Sequence, residues 1–437
     1  MKMIHIFWFE QKHFRRSPSK VFSFTLFLLA CVYSIYNGFE LQQTQQSTIQ
    51  TIIQEQEKDL DKTRTWFSEG KNGPEDRAWV DIHEPYWALR YTPTYTIKRA
   101  SALLPLGIGQ TEQYGYYKEI DFWSSTYDND MVEEIANPER LLQGSIDFSF
   151  LVIYLLPLLL IILTYNIGGL ERDKHFDKLV IIQSGSIRKW TCIRFAFYVS
   201  IMLITVVSLI LVVAYVNHDL ALSIDTLCKL ILLATGYILF FSAIYFMVLW
   251  KGSGSRTIAF NMITIWLSLC VIIPGFVHQI ASLQSPAHYM TDFLDTNRKE
   301  AYATYSLPSD SLMEHLQEIY PDIVHTKHGK ESKKEVKIIR RSIGAIINEM
   351  NKNTVVKIER RNEIKNQIVR SSYLFNPVSF VQNQWNIYTS SDYYSFQEYR
   401  RDVQKAIDNK HKLLVFETWN QVKLDKESYE VYLKTLR

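Results

Sequence analysis

The side chains best placed to act on something sit together between positions 171 and 188. Glu171 and Arg172 follow directly on an apolar run that begins at Phe148. Lys178, Leu179, Val180, Ile181 and Ile182 then set an apolar strip beside charge, Ser184-Gly185 marks a turn, and Arg188 precedes the next apolar run, which starts at Phe195. Their spacing forms no catalytic motif. An apolar strip rimmed by charge suits contact with another protein. Its place between two apolar runs puts that contact at one face of a membrane.

Other chemistries lack their residues. There is no GxSxG elbow, no GxGxxG and no HExxH or CxxC. The segment 252–257, GSGSRT, lacks the spacing and the Gly-Lys-Ser/Thr end of a phosphate-binding loop, so the expectation is that this chain binds no cofactor or metal and that any ATP is held by a partner. Cys31, Cys192, Cys228 and Cys270 all lie in or beside apolar runs, so the wet segments are expected to fold without disulfides. His175 and His278 lie near membrane edges and read as incidental. The apolar runs contain no Asp, Glu, Lys or Arg, whereas carriers driven by ion gradients keep ionisable groups there.

The elements that must position the strip are membrane spans. Five runs lack charge: 21–39, 148–170, 195–218, 230–250 and 257–277. About 20 apolar residues cross the hydrocarbon core as a helix, and the first run is the marginal one. It could be a signal peptide, but Gly-Phe-Glu-Leu after Asn37 is no small-x-small cleavage site, so a retained anchor is expected. Residues are 47% apolar, yet mean hydropathy is only −0.08, so much of the chain lies in water. The expected fold is an α-helical polytopic membrane protein of five transmembrane helices with two mainly helical or α+β extracytoplasmic domains.

Lys and Arg set the orientation. Residues 1–20, read as an amphipathic helix on the membrane surface, carry Lys2, Lys12, Arg15, Arg16 and Lys20. The loop 171–194 is also basic, and the turn 217–223 has no Lys or Arg. Both the N-terminus and the loop are thus expected in the cytoplasm, with 40–147 and 278–437 outside.

The segment 38–147 has 19 acidic and 10 basic residues, a surface that keeps an exported domain soluble or attracts cations. It opens with LQQTQQSTIQTIIQEQEKDLDKTRTWF, free of Gly and Pro, which predicts a long helix rising from the first span. Short strands are possible beyond it. In the last segment, KHGKESKKEVKIIRR at 327–341 reads as a solvated helix face or a contact with anionic headgroups; nucleic acid is not expected outside the cell. Ile338, Ile339, Ile343, Ile346 and Ile347 recur at helical spacing. The aromatic stretch 392–399 is expected to pack against its own domain.

Several blocks together resemble the permease subunit of ABC-2 type ABC transporters, in a bacterial branch with large domains after the first and fifth spans. They are Glu10 with Arg15-Arg16; Leu103-Leu104-Pro105-Leu106-Gly107-Ile108-Gly109-Gln110; Asn137-Pro138, Gly144 and Asp147 leading into Tyr154-Leu155-Leu156-Pro157-Leu158; Glu171-Arg172, Leu179, Ser184-Gly185 and Arg188; and Asn376-Pro377-Val378-Ser379-Phe380 with Ser391-Asp392 and Phe396. The resemblance implies that 171–194 couples to a cytoplasmic ABC ATPase through Glu171, Arg172, Leu179, Val180, Ser184, Gly185 and Arg188. It also implies export of a substrate, a bacterial inner-membrane location and pairing with a second copy or a related permease. A sixth span is expected from the family, but LLVFETWNQVKLDKESYEVYLKTLR is too polar to cross. The competing readings are a coupling protein that transports nothing, and a receptor or scaffold with no ATPase.

Overall fold

Among the described residues, five helical stretches are long and apolar enough to cross a membrane: Pro18–Glu69, Phe148–Asp173, Ile187–Val216, Ile224–Trp250 and Ser255–Gln284. The structure, a computed structural model, describes residues 3–127, 146–217, 224–284, 299, 301–332 and 335–436. The Asn137-Pro138 and Gly144 block falls outside the described residues.

Helix α1 is Met3–Arg15 and α2 is Pro18–Glu69. Pro18 at the start of α2 has the fixed φ of a first helical turn and no N–H to lose. Gly70 ends α2 in the left-handed region, its N–H donating to the Trp66 carbonyl. The second span comprises a π-helical turn, Leu151–Leu155, and α3, Leu156–Thr164. A short helix Gly169–Asp173 and α4, Asp177–Ser184, lead into α5, Ile187–Val216. Helix α6 is Ile224–Trp250. The fifth span is α7, Ser255–Leu267, a π-helical turn Ser268–Ile272, and α8, Ile273–Gln284. Beyond it lie α9 (Ile343–Ser371), α10 (Pro377–Tyr388), α11 (Tyr393–Trp419) and α12 (Lys426–Leu436).

Both π turns have a cause in sequence. Pro157 and Pro274 lack an N–H, and a proline ring displaces the carbonyl four residues back. In the second span that carbonyl belongs to Ile153, and the Tyr237 hydroxyl donates to it at 2.6 Å. The neighbouring Tyr154 carbonyl accepts from the Trp266 indole at 2.9 Å. Side chains of α6 and α7 thus supply donors that lipid cannot. The span cores join in one apolar cluster, including Phe148, Leu160, Tyr198, Val206, Phe241 and Met262.

The two segments expected to form domains after the first and fifth spans share a core. Leu60 and Phe67 of α2 share one core with Val80, Ile82, Leu89 and Phe122, and with Leu414, Tyr429 and Leu433 from the far end of the chain. Arg64 pairs with Glu430 at 2.8 Å, and the Tyr399 hydroxyl donates to the Thr96 carbonyl at 2.9 Å. A three-residue antiparallel pair, Tyr95–Ile97 with Tyr117–Glu119, lies beside α11. The polar stretch where a sixth span was sought becomes the end of α11 and α12. It buries Leu414, Val415, Trp419, Tyr429 and Leu433 and turns its charges to water, the pattern of an amphipathic helix on a globular core.

Candidate functional site

Four elements converge where the second span leaves the apolar cluster: α1, the start of α2, the helix Gly169–Asp173 and the first turns of α5. Arg194 donates from Nε to Glu10 and from Nη1 to Glu171. The Tyr198 hydroxyl donates to the other Glu10 oxygen at 2.6 Å, and the Trp190 indole to Glu171 at 3.2 Å. Lys20 donates to the Leu163 carbonyl at 2.6 Å, to Asn166 at 3.2 Å and to Tyr198 Oη at 3.0 Å. Glu10, Lys20 and Arg194 are all buried. Two carboxylates and two cations leave the cluster with no net formal charge, the condition under which buried ions are tolerated. Burial alone would raise the Glu10 carboxyl. Its bonds with His13, Arg194 and Tyr198 outweigh that and hold it down at about 2.

This cluster corrects three expectations. Lys20 and Arg194, read as flanking charges at the membrane edge, are interior. Helix α1 does not simply lie on a surface: Ile6 and Glu10 have no solvent exposure, and α1 packs along α5. Helix spacing held the clue, because Glu10 follows Ile6 by four positions and so shares its buried face. Its partners Arg194 and Tyr198 lie 184 and 188 positions away, beyond any local pattern.

The predicted strip divides in two. Phe176, Leu179, Ile181 and Ile182 of α4 and the turn before it stand open, Ile182 at 84% exposure, while Val180 is half-buried. Glu171 is turned inward to Arg194 and Trp190 and is no part of the open face. Arg172 donates to the Ser253 carbonyl at 3.1 Å, and Asp173 accepts the Ser255 N–H at 3.1 Å, capping the fifth span. Ser184 is buried and its hydroxyl donates to the Val180 carbonyl at 2.6 Å. Gly185, at φ 82°, lets the chain reverse into α5. Arg188 lies over the Trp250 ring, 4.7 Å from its centroid.

The open apolar face of α4 is therefore carried on a frame whose joints are Glu171, Arg172 and Asp173. Glu171–Arg194 joins this frame to α1 and α5, and Asp173 joins it to α7. Among the described residues no three His, Cys, Asp or Glu side chains gather as a metal site. Fold and site define a helical polytopic membrane protein with a tied apolar contact face. Comparisons of the chain with protein-family models, with curated proteins and with solved structures found no match.

Proposed function

We propose that the chain is the membrane-spanning permease subunit of an ABC transporter, coupling ATP hydrolysis in a separate ATPase subunit to export of a substrate. One observation carries this reading. A short helix with Leu179 and Ile182 open to solvent is tied by the Glu171–Arg194–Glu10 chain to the membrane helices. An exposed apolar patch marks a contact for another protein, and the charge network gives that contact a mechanical route. Lys and Arg placement supports α1 and α4 on the cytoplasmic side, with the shared wet core outside, and the family resemblance supports a bacterial inner membrane. Five spans per chain suit pairing with a second copy or a related permease.

The test is a photocrosslinker at Ile182 in native membranes, with Asn217 as the control. An adduct with a Walker-motif ATPase at Ile182 alone supports the reading. Adducts free of any ATPase sink it and favour a receptor or scaffold.

The 52 residues of α2 run unbroken from the charge cluster into the wet core, about 78 Å at 1.5 Å per residue. That continuity favours a second reading, a coupling protein that moves the outer core rather than a solute. ATP-dependent distance changes between labels in that core, without solute accumulation in inverted vesicles, would select it.

A further inference from the structure

A second exposed apolar face lies at the opposite end of the spans from α4. Residues 371–391 contain no Asp, Glu, Lys, Arg or His, a run of 21 (391 − 371 + 1) between Arg370 and Asp392. Asn376, Gln382, Asn383, Gln384 and Asn386 make it too polar to cross a bilayer. Half of it is α10, whose Val378, Val381 and Trp385 belong to the same apolar cluster as the span cores. The Tyr154 hydroxyl of the second span donates to Gln382 at 2.7 Å, and α10 packs against α6 and both π turns. So α10 lies across the ends of the spans.

The other side of this segment is apolar and open. Leu374 is 97% exposed and Phe375 58%, with Phe380 and Ile387 also exposed on α10. Depth is fixed by the fifth span, since Val277 and Ala281 of α8 pack against Val369 and Tyr373. Tyr373 has its ring against Phe380 and its hydroxyl accepting from Asn383 at 2.7 Å, an aromatic with one apolar and one polar end. Exposed apolar surface on a helix whose opposite face belongs to the span cluster, beside the end of the fifth span, is what lipid covers.

We propose that residues 373–388 are a membrane-surface element: Leu374 and Phe375 insert among the acyl chains of the leaflet on the side of the wet core, and α10 lies flat at the headgroup boundary. The inference rests on the spans and not on any ATPase.

The experiment places an environment-sensitive fluorophore on Leu374→Cys, in full-length chain with the exposed Cys192 and Cys228 changed to serine, reconstituted in phosphatidylcholine vesicles. Val431→Cys, on α12 and 59% exposed, is the water control. The expected result is blue-shifted emission at 374, quenched by lipids brominated near the top of the acyl chain and little by aqueous iodide, with the reverse at 431. Equal iodide quenching at both sites overturns the proposal. Blue-shifted emission that neither lipid bromine nor iodide quenches also overturns it, by showing that a second copy or another protein covers the loop.

Discussion

Arg194 and Glu10 stand 184 positions apart in sequence and form an ion pair with almost no access to water. Glu171 shares the same guanidinium from a third element. Removing the arginine therefore strands two carboxylates at once. We predict that Arg194→Met lowers stability by about 3–5 kcal/mol, the usual result of breaking a buried pair. Adding Glu10→Gln should recover part of the loss. Thermal unfolding of the two proteins in detergent micelles checks this order.

Glu10 also gives a pH signature. Its folded carboxyl sits at about 2, below the unfolded value of about 4.3. The folded form then binds fewer protons than the unfolded one between those values, so stability from this group is complete above pH 4.3 and is lost as pH falls toward 2. Its size is of order 3 kcal/mol. Glu10→Gln should flatten that part of the stability curve.

His411 predicts a second, separate acid loss in the wet core. The ring is buried, and among the described residues neither nitrogen has a hydrogen-bond partner; burial, opposed by Asp408 and Asp121 and aided by Lys410, lowers it to about 4. Its unfolded value is about 6.5. Stability from keeping it neutral is therefore present above pH 6.5 and falls between pH 6.5 and 4, by of order 3 kcal/mol. Amide exchange in α11 should speed over that range, and His411→Phe should abolish the acceleration.

Close packing of α2 on the 3-10 turn Leu104–Leu106 sets a fourth expectation. A Cβ on Gly38 would come within 2.5 Å of the Pro105 backbone, which has no flexible end to yield. Gly38→Ala should cost about 1–3 kcal/mol through overpacking. Gly236→Ala, with open space around it, should be neutral or slightly stabilising, since alanine is the better helix former. Paired melting curves decide.

At the open face, Ile182→Asp should leave stability within about 0.5 kcal/mol, as for other surface changes, while binding of the proposed ATPase falls at least tenfold. Co-purification from membranes with an unchanged melting temperature is the expected pattern. Loss of both would place Ile182 in the fold instead.

Local patterns in the sequence reached a long way. Absence of charge marked all five spans, and the Gly- and Pro-free stretch from Leu41 to Phe67 foretold the extension of α2 to Glu69. Isoleucine spacing after Val336 found Val336–Arg341 and α9, though not the break between them at Ser342. What could not be read depends on distant partners. Glu171 looks like a surface residue until Arg194 and Trp190 meet it, and 371–391 looks like loop until the ends of the spans lie under it. The merging of two wet segments into one core was hidden for the same reason, because each carries only half of an apolar face.

That shared core has a consequence for how the protein is made. Arg64 and its partner Glu430 are 366 positions apart. At about 5–20 residues per second, roughly 20–70 s of synthesis separate them. Throughout that interval Leu60, Phe67, Val80 and Leu89 have been translated but lack their final packing partners Leu414, Tyr429 and Leu433. The first half of the wet core must therefore be kept from aggregation while four spans insert.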